Sequence, residues 1–423
     1  MAESFPPAGF VLAESAVPGI VLYKPAPEVE TQAADVDFKC PQCGATTAYC
    51  IAAQGLTCAH CGYYEPPAQE VVGKGATEFE FTLENLARAA HGWGVARQEL
   101  QCQNCGARTS LPEGMLSATC PFCASNRVIQ AAGGQDSLRP RYLVPFTVQP
   151  GACQEIARVW LGSSWMTPGS LQRLARLAEF LPIYLPFWTF DALARADWEA
   201  EVGHTEQERY YEDGQWKTRS VTVWRWESGR VAVEFDDLLI PGTQRLSQVL
   251  LTRLRDFDTA HLVPYEPAYL AGLRAQAYDL PLEQAWQQGL HEMREQTRAA
   301  CEQQASTSQI RNFRMTLDFT DETWRYVLLP VYLAVYHYED KVYQVMINGQ
   351  TASIAGQRPV DWMKVWLAIG AALTPGLLLL FLGMLTLILG VGVFVIVFAV
   401  IVLVAGGIFA FSTFNKAQEM ERV

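Results

Sequence analysis

From Val365 to Phe414 the chain carries no Asp, Glu, Lys, Arg or His, after more than 360 residues in which polar positions regularly interrupt apolar ones. A helix needs about 20 apolar residues to cross a hydrocarbon core of roughly 30 Å, so this run is too long for one span and fits two. With Gly390 and Gly392 at the turn, it predicts a C-terminal transmembrane helical hairpin within 364–414, with helices from Val365 to near Ile388 and from near Val393 to Phe411. A short tail, 415–423, follows. Thr374-Pro375-Gly376 predicts a kink in the first helix, which a bilayer tolerates when neighbouring groups satisfy the freed carbonyls.

Upstream, helical and strand periodicities alternate in blocks. Leu282 to Ala305 reads as a long amphipathic helix, and shorter helical patterns centre on Cys153, Ile156 and Trp160 and on Leu171, Leu174, Ala178 and Leu181. Aromatic-rich strand patterns run through Arg141 to Phe146, Ile183 to Asp191, Val327 to Tyr332 and Tyr343 to Ile347, with a turn near Asn348-Gly349 and hairpin signals at Asp213-Gly214 and Ser228-Gly229. Such blocks predict an α+β domain over 136–355 with a mainly antiparallel sheet. Pro145, Pro186 and Pro330 fall inside strand patterns; proline removes a ladder hydrogen bond and belongs on edges or at bulges, so the sheet should bend. Between 67 and 98, Thr77-Glu-Phe-Glu80 has capping-box spacing, and Phe79, Leu83, Leu86 and Ala90 make one apolar helical face. Residues 1–35, rich in Pro, Ala and acidic groups, read as a flexible lead-in.

Eight of the eleven cysteines form two copies of one pattern. Cys40, Cys43, Cys58 and Cys61 map onto Cys102, Cys105, Cys120 and Cys123 by a constant shift of 62 residues, which marks an internal duplication. Two Cys-x-x-Cys hooks joined by a short ribbon can place four thiolates around one Zn²⁺, so the spacing predicts tandem zinc ribbons at 36–66 and 99–130, with two Zn²⁺ per chain. Modules this small need their metal to fold. Gly44, Gly62 and Gly106 follow three of the hooks, where the chain must turn sharply and aim N–H groups at sulfur; Ala124 follows the fourth. A disulfide framework is the alternative use of eight cysteines. The start of the chain, Met1-Ala-Glu-Ser-Phe-Pro-Pro, has no basic segment followed by an apolar one, so metal-binding thiols in a reducing cytosol are expected instead.

Charge refines the picture. Lys364, Lys416 and Arg422 flank the apolar run and its turn has no cation, so both ends are expected on the cytoplasmic side of the inner membrane. The net charge of -12 argues against general nucleic-acid affinity, and neither ribbon carries a basic stripe interleaved with aromatics.

The order of twin Cys-x-x-Cys ribbons, Tyr184-Leu-Pro-Phe-Trp-Thr-Phe-Asp191, Asn348-Gly-Gln-Thr351, Gly356 to Pro359 and apolar helices resembles a family of bacterial zinc-ribbon membrane proteins. Such proteins often carry the labels primosomal protein N′ (replication factor Y), helicase-like or TFIIB-type zinc ribbon. The resemblance spans nearly the whole chain and implies work beside flotillin-like (SPFH) and phage-shock-type partners in membrane-stress assemblies. It also implies a glycine after Asn348 to Thr351, where this chain has Ala352.

The residues do not support a helicase. Gly73-Lys74-Gly75-Ala76 lacks the spacing and hydroxyl of a phosphate loop. His291-Glu292 lacks the second histidine of a zinc protease helix, and Asp236-Asp237 reads as a solvated pair after a strand. Cys153 and Cys301 fall on apolar helical stripes and read as core thiols; Cys50 sits inside the first ribbon, and His60 lies between ligands of a site already complete. Aromatic residues of the middle domain read as packing, with a ring-lined ligand groove as the alternative. The preferred function is a non-enzymatic, membrane-anchored adaptor that binds protein partners. An electron-transfer protein with mononuclear Fe(Cys)₄ centres and a membrane tether for nucleic acid are the alternatives.

Overall fold

The structure, a computed structural model, describes residues 10–13, 22–25, 38–66, 71–73, 76, 79–80, 98–110, 120–123, 125, 127–132, 138–171, 179–212, 214–339, 341–387 and 392–422. Near the N-terminus β1 (Phe10–Ala13) and β2 (Leu22–Pro25) pair antiparallel, so the lead-in is not wholly irregular: Val11-Leu12 and Leu22-Tyr23 carry strand propensity that bulk composition hides. The first cysteine module is a three-stranded sheet of β3 (Ala48–Cys50), β4 (Gly55–Thr57) and β5 (Tyr64–Glu65). Phe79–Glu80 forms β6, which pairs with Trp324 and Thr323. Where the capping-box pattern predicts a helix, its first residues thus take an open sheet edge; 81–97 lie outside the described residues. The second module orders β7 (Gln98–Cys102), β8 (Arg108–Ser110) and β9 (Val128–Ala132) as β8-β7-β9. Both modules have a topology compatible with a zinc ribbon.

The large sheet is mainly antiparallel and rests on three long strands. After β10 (Tyr142–Leu143) and α1 (Pro150–Gly162) come β11 (Leu181–Glu212) and β12 (Gln215–Pro241), a hairpin turning at Gly214. Then follow α2 (Gln248–Arg253), β13 (Val263–Pro264), β14 (Arg274–Ala275), α3 (Leu282–Gln304), β15 (Ile310–Tyr338), β16 (Lys341–Asn348) and β17 (Ile354–Gly356). β11 lies between β12 and β15, and among the described residues only β10–β15 and β11–β14 pair in parallel. Pairing with β15 ends at Val202, so the last ten residues of β11 continue with β12 alone as a two-stranded arm.

This hairpin departs from the sequence expectation in two places. Ser228-Gly229 lies inside β12, with Gly229 opposite Trp198. A Cβ at Gly229 would come within 2.8 Å of Trp198 Nε1, so this glycine admits a tryptophan from the neighbouring strand and makes no turn. Leu181, expected to end a helix, opens β11; residues 172–178 lie outside the described set.

The core sits on both faces of the sheet base. On one, Ala192, Ala194, Ala196, Trp198, Ala200 and Val202 are buried while Arg195, Asp197 and Glu199 are exposed, the period of two that a half-covered strand requires. α3 lies on this face, stacking Trp286 edge-on to Phe190 at 5.1 Å and burying Cys301. On the other, Ile183, Leu185, Phe187, Val327, Leu329 and Val331 pack with α2 and with Cys102, Ala107 and Phe122 of the second cysteine module. The aromatic residues are largely core: Trp188, Trp324, Tyr326 and Tyr278 form one ring cluster, and Trp188 Nε1 donates to the Leu280 carbonyl.

Pro186 and Pro330 occupy central strands, where prolines are normally excluded. Each sits where the outer neighbour changes. The Pro186 carbonyl faces outward to the Gly242 N–H just past the end of β12, and the Pro330 carbonyl to the Gly349 N–H just past β16, both at 2.8 Å. Amide and carbonyl of a strand residue share a side, so the missing N–H also faces a gap in the ladder and costs no bond. Register shifts at Phe190/Ala192, Asp191/Leu193 and Glu199/Glu201 mark bulges in the long strands, away from the prolines.

The Asn348 to Thr351 segment is a clamp. Asn348 Oδ1 accepts from the Gln350 and Thr351 amides, its Nδ2 reaches the Leu254 carbonyl and Asp256, and Gln350 brackets the Asp258 backbone. Ala352 then adopts φ +64°, a left-handed conformation that a Cβ disfavours by about 1–2 kcal/mol. Ala352→Gly is therefore expected to stabilise the domain by about 0.5–1 kcal/mol after the added freedom of the unfolded chain is subtracted. A rise in apparent melting temperature checks it, and a fall would show that the methyl packs favourably.

The two C-terminal helices, α4 (Trp362–Leu385) and α5 (Gly392–Arg422), are long and apolar enough to cross a membrane. They pack through small residues: a Cβ at Gly376 would lie 2.7 Å from Leu403 Cγ, and one at Gly406 2.8 Å from the Ala372 carbonyl. α4 runs unbroken through Pro375, and the Thr374 hydroxyl donates to the Gly370 carbonyl. The turn residues 388–391 lie outside the described set, but Gly392 already opens α5. The second helix does not stop at Phe411. Its end, where a separate tail was expected, docks on the large domain: Glu419 pairs with Arg253, Glu421 with Lys341 and Trp362 Nε1, and Ala417 and Met420 join Met166, Val360 and Val365 in an apolar cluster. At the start of α4, Asp361 N–H and Lys364 Nζ donate to the Met166 and Thr167 carbonyls.

Candidate metal centres

Each cysteine module closes on four sulfurs. Sγ separations are 3.4 Å for Cys40–Cys61, 3.6 Å for Cys43–Cys58, 3.7 Å for Cys102–Cys123 and 3.6 Å for Cys105–Cys120. Within each set the four sulfurs lie within 4.8 Å of one another. Tetrahedral bonds of about 2.3 Å put sulfurs about 3.8 Å apart, whereas a disulfide needs about 2.0 Å. Both sets can hold a metal ion, and no cysteine is in a disulfide.

The backbone explains the shape. In every hook the first cysteine donates its N–H to the carbonyl five residues on: Cys40 to Ala45, Cys58 to Tyr63, Cys102 to Ala107 and Cys120 to Ser125, at 2.7–2.9 Å. Gly44, Gly62 and Gly106 follow with φ between +72° and +76°, where a side chain would strain the turn. Their N–H groups do not aim at sulfur. They donate to the carbonyls of Cys40, Cys58 and Cys102, and the sulfur-directed donors flank them: Asn104 N–H inside the hook reaches Cys102 Sγ at 3.4 Å, and the Ala45, Tyr63 and Ala107 amides just past the glycines reach Cys43, Cys61 and Cys105. Such donors favour thiolate. The Cys61 and His60 amides bring Cys58 down to about 6; against the opposing effect of burial, the Cys105 and Asn104 amides bring Cys102 to about 7.

The two modules sit on the large domain differently. The first inserts Tyr49, Ile51 and Leu56 into the main core, with the Tyr49 amide donating to Ala271 and Gln54 Nε2 to the Phe146 carbonyl, while Cys43, Cys61, His60 and both residues between the cysteines of the first hook stay exposed. The second is sunk into the sheet face at its Cys120–Cys123 hook, while Gln103 and Asn104 of its other hook stay exposed. Pro121 and Phe122 are buried, Gln344 Nε2 donates to the Phe122 carbonyl at 2.6 Å, and Ser110 Oγ exchanges hydrogen bonds with the Ala275 backbone.

Other candidates find structural roles. Cys153 and Cys301 are fully buried, and burial pushes the Cys153 thiol up to about 12. Cys50 is half-buried within the first module. Glu292 is held by Arg255 through two contacts of 2.7 Å, so His291-Glu292 belongs to a helix surface tie. Asp236-Asp237 is not a solvated turn. Asp237 lies in β12 with φ +58°, and its carboxylate takes the guanidinium of fully buried Arg325 at 2.5 Å; Asp191 lies 3.5 Å from the same group. The Asp191, Asp236 and Asp237 carboxylates lie within 4.8 Å of one another; Arg325 is the resident cation for Asp191 and Asp237, and Asp236 is exposed. Arg325 escaped sequence reasoning, although one arginine inside Trp324 to Leu329 signals a buried charge that must have partners.

No family model matches this chain, and no solved structure matches it. It is similar to an uncharacterized protein of Bacillus subtilis (strain 168), YdjG, with 26% identity over 333 residues that cover 78% of this chain and 92% of that protein.

Proposed function

We propose that this chain is a non-enzymatic, membrane-anchored adaptor. Its two Cys₄ centres each hold one Zn²⁺ in tandem ribbons, its hairpin crosses the inner membrane twice, and its soluble part and C-terminal end face the cytosol. The observation that carries this reading is the grip of both hairpin ends on the large domain, through Asp361 and Lys364 at one end and Glu419 and Glu421 at the other. A hairpin held at both ends returns the chain to its side of entry, which agrees with Lys364, Lys416 and Arg422 lying there. Ribbons and domain then form one platform at the membrane surface, suited to flotillin-like (SPFH) or phage-shock-type protein partners.

A nucleic-acid tether is less favoured, because most cations of β12 in the long hairpin are already met by carboxylates. Arg219 pairs with Glu208, Arg225 with Glu206 and Arg230 with Asp197, which leaves little to neutralise phosphate. The sulfur geometry also accommodates iron, so metal analysis separates the adaptor from an electron carrier.

Crosslinking in native membranes, followed by capture of the tagged chain, is expected to recover protein partners, and deletion of 362–423 should move the chain and those partners into the soluble fraction together. Reporter fusions at both termini should read cytoplasmic. ATP hydrolysis above background, steeply salt-dependent duplex DNA binding, or iron with a visible charge-transfer band would overturn the reading.

A further inference from the structure

The two centres share their sulfur geometry but differ in cover. In the first, Cys43 and Cys61 are exposed, as are Pro41, Gln42, Ala59 and His60 between the ligands, and a Cβ at Gly44 or Gly62 would meet nothing within 4 Å. In the second, Gln103 and Asn104 are exposed, but Cys105 and Cys123 are half-buried, Pro121 and Phe122 are buried, and Arg245 stands 3.3 Å from where a Gly106 Cβ would be. Among the described residues, then, two sulfurs of the first centre meet solvent directly, while the second sits under a hook locked to Gln344.

We propose that the first centre is an exchangeable, peroxide-responsive metal site and that the second is a closed structural one, an inference that rests on the metal reading above. A solvent-facing thiolate is open to a competing ligand or an oxidant, whereas a covered one reacts only after the module opens. Hydrogen peroxide supplies the chemistry. The Cys61 thiolate attacks a peroxide oxygen, the O–O bond breaks, and hydroxide leaves, giving a sulfenic acid. The Cys40 sulfur, the nearest at 3.4 Å, displaces the sulfenic oxygen as a second hydroxide and forms the disulfide. Two thiolates lose two electrons, peroxide plus two protons becomes two waters, and the ion leaves with half its ligands gone. Tyr49, Ile51 and Leu56 remain in the main core, so the response is confined to the outer hooks, a surface whose loss can be read by a partner.

The test uses the full chain in detergent, with Zn²⁺ content measured first. With a chromogenic chelator, and separately with hydrogen peroxide, one Zn²⁺ per chain should leave at least about tenfold faster than the other. Peptide mapping should place the disulfide at Cys40–Cys61 and leave Cys102, Cys105, Cys120 and Cys123 reduced. Gln344→Ala should speed release of the slow ion and leave the fast one unchanged. Equal rates, a first disulfide in the second centre, or a slow ion indifferent to Gln344→Ala would overturn the asymmetry while leaving two bound Zn²⁺ intact. Protein that carries no metal would overturn the metal reading itself.

Discussion

Arg325→Met is expected to destabilise the large domain by about 3–5 kcal/mol, the cost of leaving carboxylates under the sheet surface without their cation. The Arg325 side chain has no exposure, and those of Asp237 and Asp191 are 6% and 13% exposed. Thr189 Oγ1 accepts from Arg325 Nε, and Asp191 accepts from the Asp237 amide at the bulge, so one guanidinium holds three strands in register. Methionine matches the stem but supplies no donor. The double variant Arg325→Met/Asp237→Asn should recover more than half of the loss, because one stranded charge is gone. Denaturant unfolding followed by tryptophan fluorescence reads both, since Trp188 and Trp324 lie in the adjoining core. A single variant within about 1 kcal/mol of the parent would mean that water reaches the acids.

Loss of one ligand from each centre should have unequal consequences. Cys43→Ser and Cys120→Ser should each lower metal content from two ions to one. Cys120 is buried in the apolar cluster that also holds Phe122, Phe187, Leu250, Val327 and Leu329. Without its metal the second module therefore exposes part of the sheet face as well as itself, and the apparent melting temperature should fall by about 10 °C or more, at roughly 2–4 °C per kcal/mol for a domain of this size. Cys43 faces solvent, and, against the expectation that so small a module folds only with its metal, the strands beside it are held by the large domain through Tyr49 and Leu56. Its loss should therefore leave the melting temperature within about 2 °C. Elemental analysis and a thermal scan on the same samples measure both effects. Equal shifts from the two variants would mean that both modules support the core alike.

What the chain determined by itself is whatever depends on neighbours in sequence or on a fixed external length. Bilayer thickness sets the number of apolar residues a span needs, so two membrane-length helices were legible in Val365 to Phe414. A hook of two cysteines and a glycine is a local turn, and its duplication groups the eight sulfurs four by four, as the structure does. Leu282 to Ala305 was legible for the same reason, since a helix bonds within its own segment. Tertiary structure decided which segments meet. Strand alternation does not say where a strand stops or which strand it joins, so Ser228-Gly229 read as a turn until Trp198 was placed opposite it. Phe79–Glu80 became a strand because β15 offered an unpaired edge. α5 continued past Phe411 because Arg253, Lys341 and Met166 waited at its end. Arg325 could be assigned to Asp191 and Asp237 only once β11, β12 and β15 lay side by side. Partners so distant along the chain are selected by the burial and charge pairing that folding brings about, and no local pattern encodes that choice.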